Sequence, residues 1–254
     1  MRNEQYNSIK DLVLRWGLKI KETSGTVADI GTKKKWLTEQ DIEIEKDMQQ
    51  LISTFSGENK LYSEEINDRF IEGENVWIAD PISHTFSYIH GLPHFCIVVS
   101  HLHKGKIVYA IVHDPFMNEA FEATSDGGSY LNDKKIQVND RVSDLCILFD
   151  VQPVGKHTKE TNISLLSQLM TLGRVKSYGS VALHYAYVAC GRAEMAVTQN
   201  KDTFPEFAGK FLVEKAGGIL TDYSGNELAT GSVGILASNG KVHTKALELL
   251  KNFV

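Results

Sequence analysis

Residues 77–85 read Trp-Ile-Ala-Asp-Pro-Ile-Ser-His-Thr, and this stretch decides the fold. Its apolar beginning predicts a strand, which runs into a turn at Asp80-Pro81. The turn and the helix start after it expose backbone N–H groups that suit a phosphate. A hard cation such as Mg²⁺ takes oxygen ligands from carboxylates and backbone carbonyls. Glu64, Asp80 and the carbonyl of Ile82 therefore form a candidate cation site.

The composition is that of an ordinary globular protein. The chain has 254 residues, of which 42% are hydrophobic and 23% are charged, and its net charge is -5. This balance excludes a disordered chain and a nucleic-acid binder that relies on bulk positive charge. The three cysteines form no CxxC pair, so we expect reduced thiols. Because no signal peptide and no run of about 18 apolar residues is evident, we expect a cytoplasmic protein.

Helical and strand patterns are mixed along the whole chain, which predicts an α+β or α/β fold. Two helices come first, the second beginning near Thr38, and residues 56–75 are predicted to be a loop. Strands are expected at 76–79, 95–100 and 107–113. The pattern changes near residue 140. We therefore expect an N-terminal α+β half over 1–139, which carries the metal and phosphate motifs, and a C-terminal α/β half over 140–254.

Each candidate residue also has a structural interpretation. Thr38-x-x-Asp41 is typical of a capping box, so Asp41 can stabilise a helix start, act in catalysis, or do both. Glu64-Glu65 alone is typical of a solvated charge pair, and Asp80-Pro81 alone of a turn. Lys33 to Lys35 can meet a substrate phosphate or solvate a loop. The order and spacing of the motifs, rather than their individual identities, favour a functional site.

In that order the motifs resemble the inositol monophosphatase family, the Mg²⁺-dependent, lithium-sensitive phosphatases. The resemblance covers nearly the whole chain and implies a layered αβαβα sandwich of the inositol monophosphatase and fructose-1,6-bisphosphatase type, usually dimeric. The matching segments are Glu64-Glu65, Asp80 to Thr85, Tyr88 to Phe95, Asp114-Pro115, Gly128 to Asn132, Tyr178 to Ser180, Val188 to Arg192, Ala216 to Gly218 and Leu236 to Gly240.

The resemblance also assigns roles to residues. It implies a first Mg²⁺ site at Glu64, Asp80 and the Ile82 carbonyl. Asp41 and Thr85 would orient the attacking water, with Glu65 beside them. The expected ligand is a small phosphorylated polyol, sugar or nucleotide, and the expected assembly is a homodimer away from membranes. The implied phosphate and substrate positions are Ser83, His84, Thr85, Gly179 and Ser180.

The chain departs from the family pattern at His84, where the family has glycine, and at two metal-ligand positions. Where the family has aspartates that hold a second metal ion, this chain has Ser83 and, in an ungapped alignment, Pro205. Proline offers no side-chain ligand, and a neutral hydroxyl binds Mg²⁺ weakly. Asp202 or Glu206 could rebuild the site, or His84 could ligate a softer metal such as Zn²⁺.

The departures leave three functions open. The sequence predicts weak or altered phosphomonoester hydrolysis. The first alternative is a catalytically silent pseudophosphatase that binds a ligand or a protein. The second is different chemistry in the same phosphate-binding cleft, with Ser83 and His84 as new functional groups.

Overall fold

The computed structural model describes residues 2–32, 36–65, 67, 70–150, 159–199, 203–228 and 234–253. The helices are α1 (Arg2–Thr23), α2 (Glu39–Ser53), α3 (Thr85–Ile89), α4 (Lys159–Leu169), α5 (Val181–Ala189), α6 (Thr203–Lys215) and α7 (His243–Leu250). The first seven strands are β1 (Asn59–Ser63), β2 (Asn75–Ser83), β3 (Cys96–His103), β4 (Lys106–Asp114), β5 (Glu119–Thr124), β6 (Ser129–Leu131) and β7 (Lys134–Ile136). The others are β8 (Leu145–Phe149), β9 (Gly173–Lys176), β10 (Met195–Thr198), β11 (Ile219–Thr221) and β12 (Ile235–Ser238).

The strands form two sheets that divide the chain between β7 and β8. The first sheet has seven strands in sequence order, β1 to β7. Its β1–β2 pair is parallel and its other pairs are antiparallel. The second sheet has five strands in the order β11-β12-β10-β8-β9. This division falls near the expected boundary at residue 140, and the assignment of an N-terminal and a C-terminal half stays a prediction.

The helices and sheets form five layers, because the side chains on the two faces of each sheet pack against different helices. Val99 of β3 packs toward α1 and α2, whereas its neighbour Val98 packs toward α5 and α6, because successive side chains point to opposite faces. The second sheet buries Ala196 against the same central helices and Val197 against α4 and α7. The order is therefore α1/α2, first sheet, α5/α6, second sheet, α4/α7. The predicted αβαβα sandwich is confirmed.

The strand β1 lies inside the segment predicted to be a loop, so that prediction is wrong. Asn59 to Ser63 lack the β-branched residues that mark most strands. The segment is a strand because it pairs in parallel with β2 at the sheet edge, from Asn59 opposite Asn75 to Ser63 opposite Ala79. Its carboxyl end therefore places Glu64 beside Asp80.

The strand β2 is longer than predicted and runs to Ser83. Its pairing with β3 shifts between Asp80 and Ser83, where Pro81 lacks the N–H that a regular ladder needs. The shift ends the regular pairing just before α3.

None of the described helices is long and apolar enough to cross a membrane. The three cysteines are free, in agreement with the expected thiols.

Candidate functional site

The first site element is the start of α2. Thr38 is the N-cap, and its backbone N–H and hydroxyl donate to Asp41 Oδ2 at 2.8 and 2.6 Å, which completes the capping box. Asp41 is 1% exposed, and its Oδ1 accepts no hydrogen bond from any described residue. Burial, with the charges of Glu65 and Glu64, raises the pKa of Asp41 to about 7. One carboxylate oxygen thus caps the helix, and the other stays available to a ligand.

The carboxyl end of β1 supplies the second element. The backbone N–H of Glu64 donates to the Ala79 carbonyl at 3.2 Å, which continues the pairing with β2 by one residue. Glu45, one helical turn after Asp41, is 2% exposed. Its carboxylate accepts the Ser63 hydroxyl and, at 2.9 Å, the Glu65 backbone N–H. Glu45 therefore fixes the Ser63-Glu64-Glu65 turn against α2.

The end of β2 supplies the third element. Asp80 is 3% exposed and lies on the strand beside β1. The Ile82 carbonyl accepts the Thr85 hydroxyl at 2.7 Å, and a carbonyl oxygen has two lone pairs. Thr85 begins α3 directly after the bulged segment.

Ser83 and Ser180 meet at Cys96. Ser83 pairs with Cys96 across β2 and β3, and the Cys96 thiol lies 3.4 Å from the Ser180 hydroxyl. Ser180 is the N-cap of α5 and accepts the Leu183 backbone N–H at 3.4 Å. Burial, with the charges of Asp80 and Asp114, raises the pKa of the Cys96 thiol, which makes it a packing group rather than a nucleophile.

His84 fills the space above Gly179. Its φ is 67°, in the left-handed region that favours glycine, and a Cβ on Gly179 would overlap the His84 ring. Burial lowers the pKa of His84 and of His184, and the nearby charge of His94 lowers both further. His184 is buried, and its Nε2 accepts the Tyr178 backbone N–H at 3.2 Å. The three imidazoles form a packed cluster behind the candidate phosphate positions.

The start of α6 lies at the same end of the first sheet. Phe204 stacks on Tyr62 of β1, with ring centroids 5.0 Å apart. Pro205 and Glu206 follow in the first helical turn. Proline is tolerated in this turn because the first N–H groups of a helix have no intrahelical partner. Asp202, the other candidate for a rebuilt metal site, lies outside the described residues, as do Lys33 to Lys35.

The donor set fits one divalent cation. Within the described ranges, no group of three or more His, Cys, Asp and Glu side chains is placed to hold a metal ion. Glu64, Asp80 and the Ile82 carbonyl form a smaller set of hard oxygen donors, which suits Mg²⁺ or Ca²⁺ completed by water. Asp41 Oδ1 accepts no hydrogen bond from the described residues, and burial, with the nearby charges of Glu65 and Glu64, raises the pKa of Asp41, so a bound cation would favour its ionised form. Ser83 and Pro205 do not offer a comparable set for a second ion.

Sequence reasoning missed Glu45. Its spacing of four from Asp41 places both carboxylates on one face of α2. That spacing on a face shared with Ile44 and Met48 was the available signal. A buried glutamate is rare unless it is paired, and only the fold reveals the partners at Ser63 and Glu65.

Comparisons with known proteins extend over the whole chain. A family model described as "Inositol monophosphatase family" matches residues 3–253. The fructose-1,6-bisphosphatase/inositol-1-monophosphatase of Thermotoga maritima is 31% identical over 218 residues, which are 84% of this chain and 82% of that protein. The Nus factor SuhB of Pseudomonas aeruginosa is 30% identical over 68% of this chain and 67% of its own length.

A solved structure has the same fold. The IMPase of Thermotoga maritima superimposes with a TM-score of 0.86 at 28% identity, over 99% of this chain and 98% of that one.

Proposed function

The chain belongs to the inositol monophosphatase family, and from this premise we propose that it is a metal-dependent phosphomonoester hydrolase of reduced activity. The family is one of metal-dependent phosphatases, and Mg²⁺ is the ion proposed here. The observation that carries the proposal is the half-complete donor set. Asp41, Glu64, Glu65, Asp80 and Thr85 are present at one end of the first sheet, whereas Ser83 and Pro205 replace carboxylates.

The residues proposed to activate the attacking water are present in this chain. Asp41 Oδ1 accepts no hydrogen bond from the described residues and has a pKa of about 7, which suits a group that takes a proton from water near neutral pH. Thr85 begins α3 and holds the Ile82 carbonyl at 2.7 Å. When bound at Glu64, Asp80 and Ile82, a divalent cation would polarise the water and the phosphate. Glu65 keeps the pKa of Asp41 raised, after burial.

The carboxylates that would hold a second metal ion near the leaving group are replaced in this chain. As water adds to phosphorus and the ester P–O bond breaks, the departing alkoxide needs a compensating charge or a proton. Ser83 offers only a hydroxyl and Pro205 offers nothing. If the missing charge contributed about 4 kcal/mol, the rate would fall by roughly 10³. Glu206 in the first turn of α6, or His84, remains a candidate for partial compensation.

The test compares the wild type with the Ser83→Asp/Pro205→Asp double variant. We expect Mg²⁺-dependent phosphate release from a panel of phosphomonoesters to rise by about 10² to 10³ in the double variant. An aspartate in the first turn of α6 is also favourable for the helix dipole, so folding should be retained. The wild type and the double variant, each with Asp80→Asn added, are the controls and should release no phosphate. Wild-type turnover equal to that of the Thermotoga relative would contradict the proposal.

A competing proposal is a catalytically silent binding module. It is favoured by the two replaced ligands and by similarity to a protein named as a Nus factor. If neither the wild type nor the double variant releases phosphate, and both still bind the ligand, the result would support this second proposal. Homodimerisation is also proposed, and light scattering at several concentrations tests it.

A further inference from the structure

The outward side of α1 carries an open groove. The inward side of this helix, with Ile9 and Val13, is fully buried in the core that it shares with α2 and the first sheet. The groove has a volume of about 530 Å³ and is lined by Leu51 of α2 and by five residues of α1: Ser8, Asp11, Leu14, Arg15 and Leu18. We call these five residues the α1 face. Leu18 is 62% exposed, so the face presents apolar surface between two charges.

The groove lies on a helix pair whose relative direction is fixed by polar contacts. Trp16 donates its indole N–H to Asp47 at 3.0 Å, and Lys19 pairs with Glu43 at 2.8 Å. Residues later in α1 thus lie beside residues earlier in α2, so the two helices are antiparallel. Leu51, one helical turn after Asp47, therefore lies toward the amino-terminal half of α1.

The order of residues on the α1 face is complementary to itself. Two copies of α1 can cross antiparallel about a two-fold axis that is level with Val13. Asp11 and Arg15 lie two residues to either side of this level, so each meets the opposite charge on the second copy. Ser8 and Leu18 lie five residues to either side, so each leucine meets a small residue. Leu14 lies next to the axis and meets its own copy.

The charges of the α1 face are available for such a contact. Asp11 and Arg15 are both exposed, and neither forms an ion pair with another described residue. Two like charges, Glu4 and Glu22, would also face each other across the axis. They lie about 13 Å along the helix from it, where helices that cross at about 50° have diverged beyond the screening length of about 10 Å.

We propose that the α1 face binds the same face of a second copy of this chain. Each Leu18 would enter the other copy's groove between Ser8 and Leu51, and two pairs of Asp11 with Arg15 would flank the leucines. One helix pair is small beside the roughly 1,200 Å² that stable interfaces bury, so we expect weak, concentration-dependent association. The inference goes beyond the proposed homodimer by naming a contact surface, and it does not rest on the phosphate site.

The first test uses two charge variants of the full chain, each of which is incompatible with itself. Asp11→Arg gives the face two positive charges, and Arg15→Glu gives it two negative charges. Each variant alone should therefore repel its own copy. Sedimentation equilibrium over a wide concentration range should show an association constant at least about 10-fold below that of the wild type.

Mixing the two variants provides the sharpest comparison. In a mixed pair every positive charge of the Asp11→Arg chain faces a negative charge of the Arg15→Glu chain. The equimolar mixture should therefore associate about as strongly as the wild type, although neither variant associates by itself. Such recovery also shows that both variants are folded. The Asp11→Arg/Arg15→Glu double variant exchanges the two charges and should likewise associate with itself.

The second test changes the apolar contact. Leu18→Glu places a charge where the leucine would enter the groove, so association should be lost. Val142→Glu is the matched control, because Val142 is also 62% exposed and lies outside α1. Its association constant should stay at the wild-type value.

The outcomes are distinct. A wild type that shows no association, or α1 variants that associate like the wild type, would overturn the proposed contact. Weakened variants that do not recover on mixing would overturn it as well, since the charge pairing would then be absent. An effect of Val142→Glu as large as that of Leu18→Glu would place the contact on another surface. Phosphate release is not a readout here, so failure of this contact leaves the proposed function standing.

Discussion

His84 has a left-handed backbone conformation, and its ring packs on a second left-handed residue, Gly179. The φ of His84 is 67°, and that of Gly179 is +85°. The imidazole therefore occupies volume that any side chain at 179 would need. A glycine at 84, as in the family pattern, would leave that space open. The histidine at position 84 therefore requires a glycine at position 179.

We expect Gly179→Ala to lower the free energy of unfolding by about 2 kcal/mol or more, because the new methyl group overlaps the His84 ring and the backbone is strained. In a His84→Gly background the overlap disappears, so the same change should cost about 1 kcal/mol less. Urea denaturation of the four proteins measures this coupling.

Gly57→Ala is the matched control. Gly57 has a φ of +87°, and a Cβ there would have nothing within 4 Å, so the substitution tests backbone strain without overlap. A Gly179→Ala loss no larger than the Gly57→Ala loss would contradict the packing argument.

At the scale of elements, α2 and the carboxyl end of β1 are joined by Glu45. Because Glu45 accepts from Ser63 and from Glu65, it holds in place the turn that carries Glu64. We expect Glu45→Ala to lower the free energy of unfolding by about 2 kcal/mol, since it removes the acceptor of the Glu65 N–H and leaves the Ser63 hydroxyl only the longer bond to the Ala79 carbonyl, at 3.3 Å. Mg²⁺ affinity, measured by calorimetry, should fall as well.

Glu43 on the same helix provides the control. Its ion pair with Lys19 is about half exposed, with side-chain accessibilities of 53% and 51%. Such surface pairs contribute little, so Glu43→Ala should change stability by less than about 1 kcal/mol and leave Mg²⁺ affinity unchanged. Equal effects of the two variants on Mg²⁺ binding would show that Glu45 does not position the turn.

The sequence predicts these elements unevenly for physical reasons. The helix α2 is predictable because its cap and its buried stripe, including Ile44 and Met48, are local. The strand β1 is not, because its identity comes from pairing with β2 across fifteen residues of chain rather than from its own side chains. For the same reason Glu45 looks like a solvated helical charge until the strand end is placed beside it.

At the scale of the whole molecule, a buried histidine of the central layer, His184, contributes to the response of stability to pH. Burial, with the charges of His84 and His94, lowers the pKa of His184 to about 3. The neutral ring is favoured in the folded state, so its contribution is complete above the ordinary pKa near 6.5 and declines as pH falls toward 3. This contribution should fall with a slope of up to about 1.4 kcal/mol per pH unit in this window, against the opposite slope of Asp41, whose raised pKa makes its own contribution grow as pH falls.

His184→Gln keeps an acceptor for the Tyr178 N–H and has no titration. Its free energy of unfolding should therefore show a smaller slope between pH 6.5 and pH 4. His103→Gln, at the partly exposed end of β3, is the control for replacing an imidazole by an amide outside the buried layer. Thermal unfolding in a pH series measures all three proteins, and parallel curves would contradict the assignment.

The layered fold itself is predictable through the family motifs, whereas the candidate site is only partly so. Glu64, Asp80 and Thr85 can be located from their order in the chain. The packing of the His84 ring cannot, because it depends on Gly179, which is distant in the chain. The site residues themselves stay a prediction that the proposed variants test.

The helices α5 and α6 are buried between two sheets and belong to one continuous core. The positions proposed to choose a ligand stand elsewhere, on strand ends and first helical turns. Folding and ligand choice are thus encoded by largely separate residues. In evolutionary terms, the residues at positions 83 and 205, and with them the ligand, can change without a change in the residues of this core.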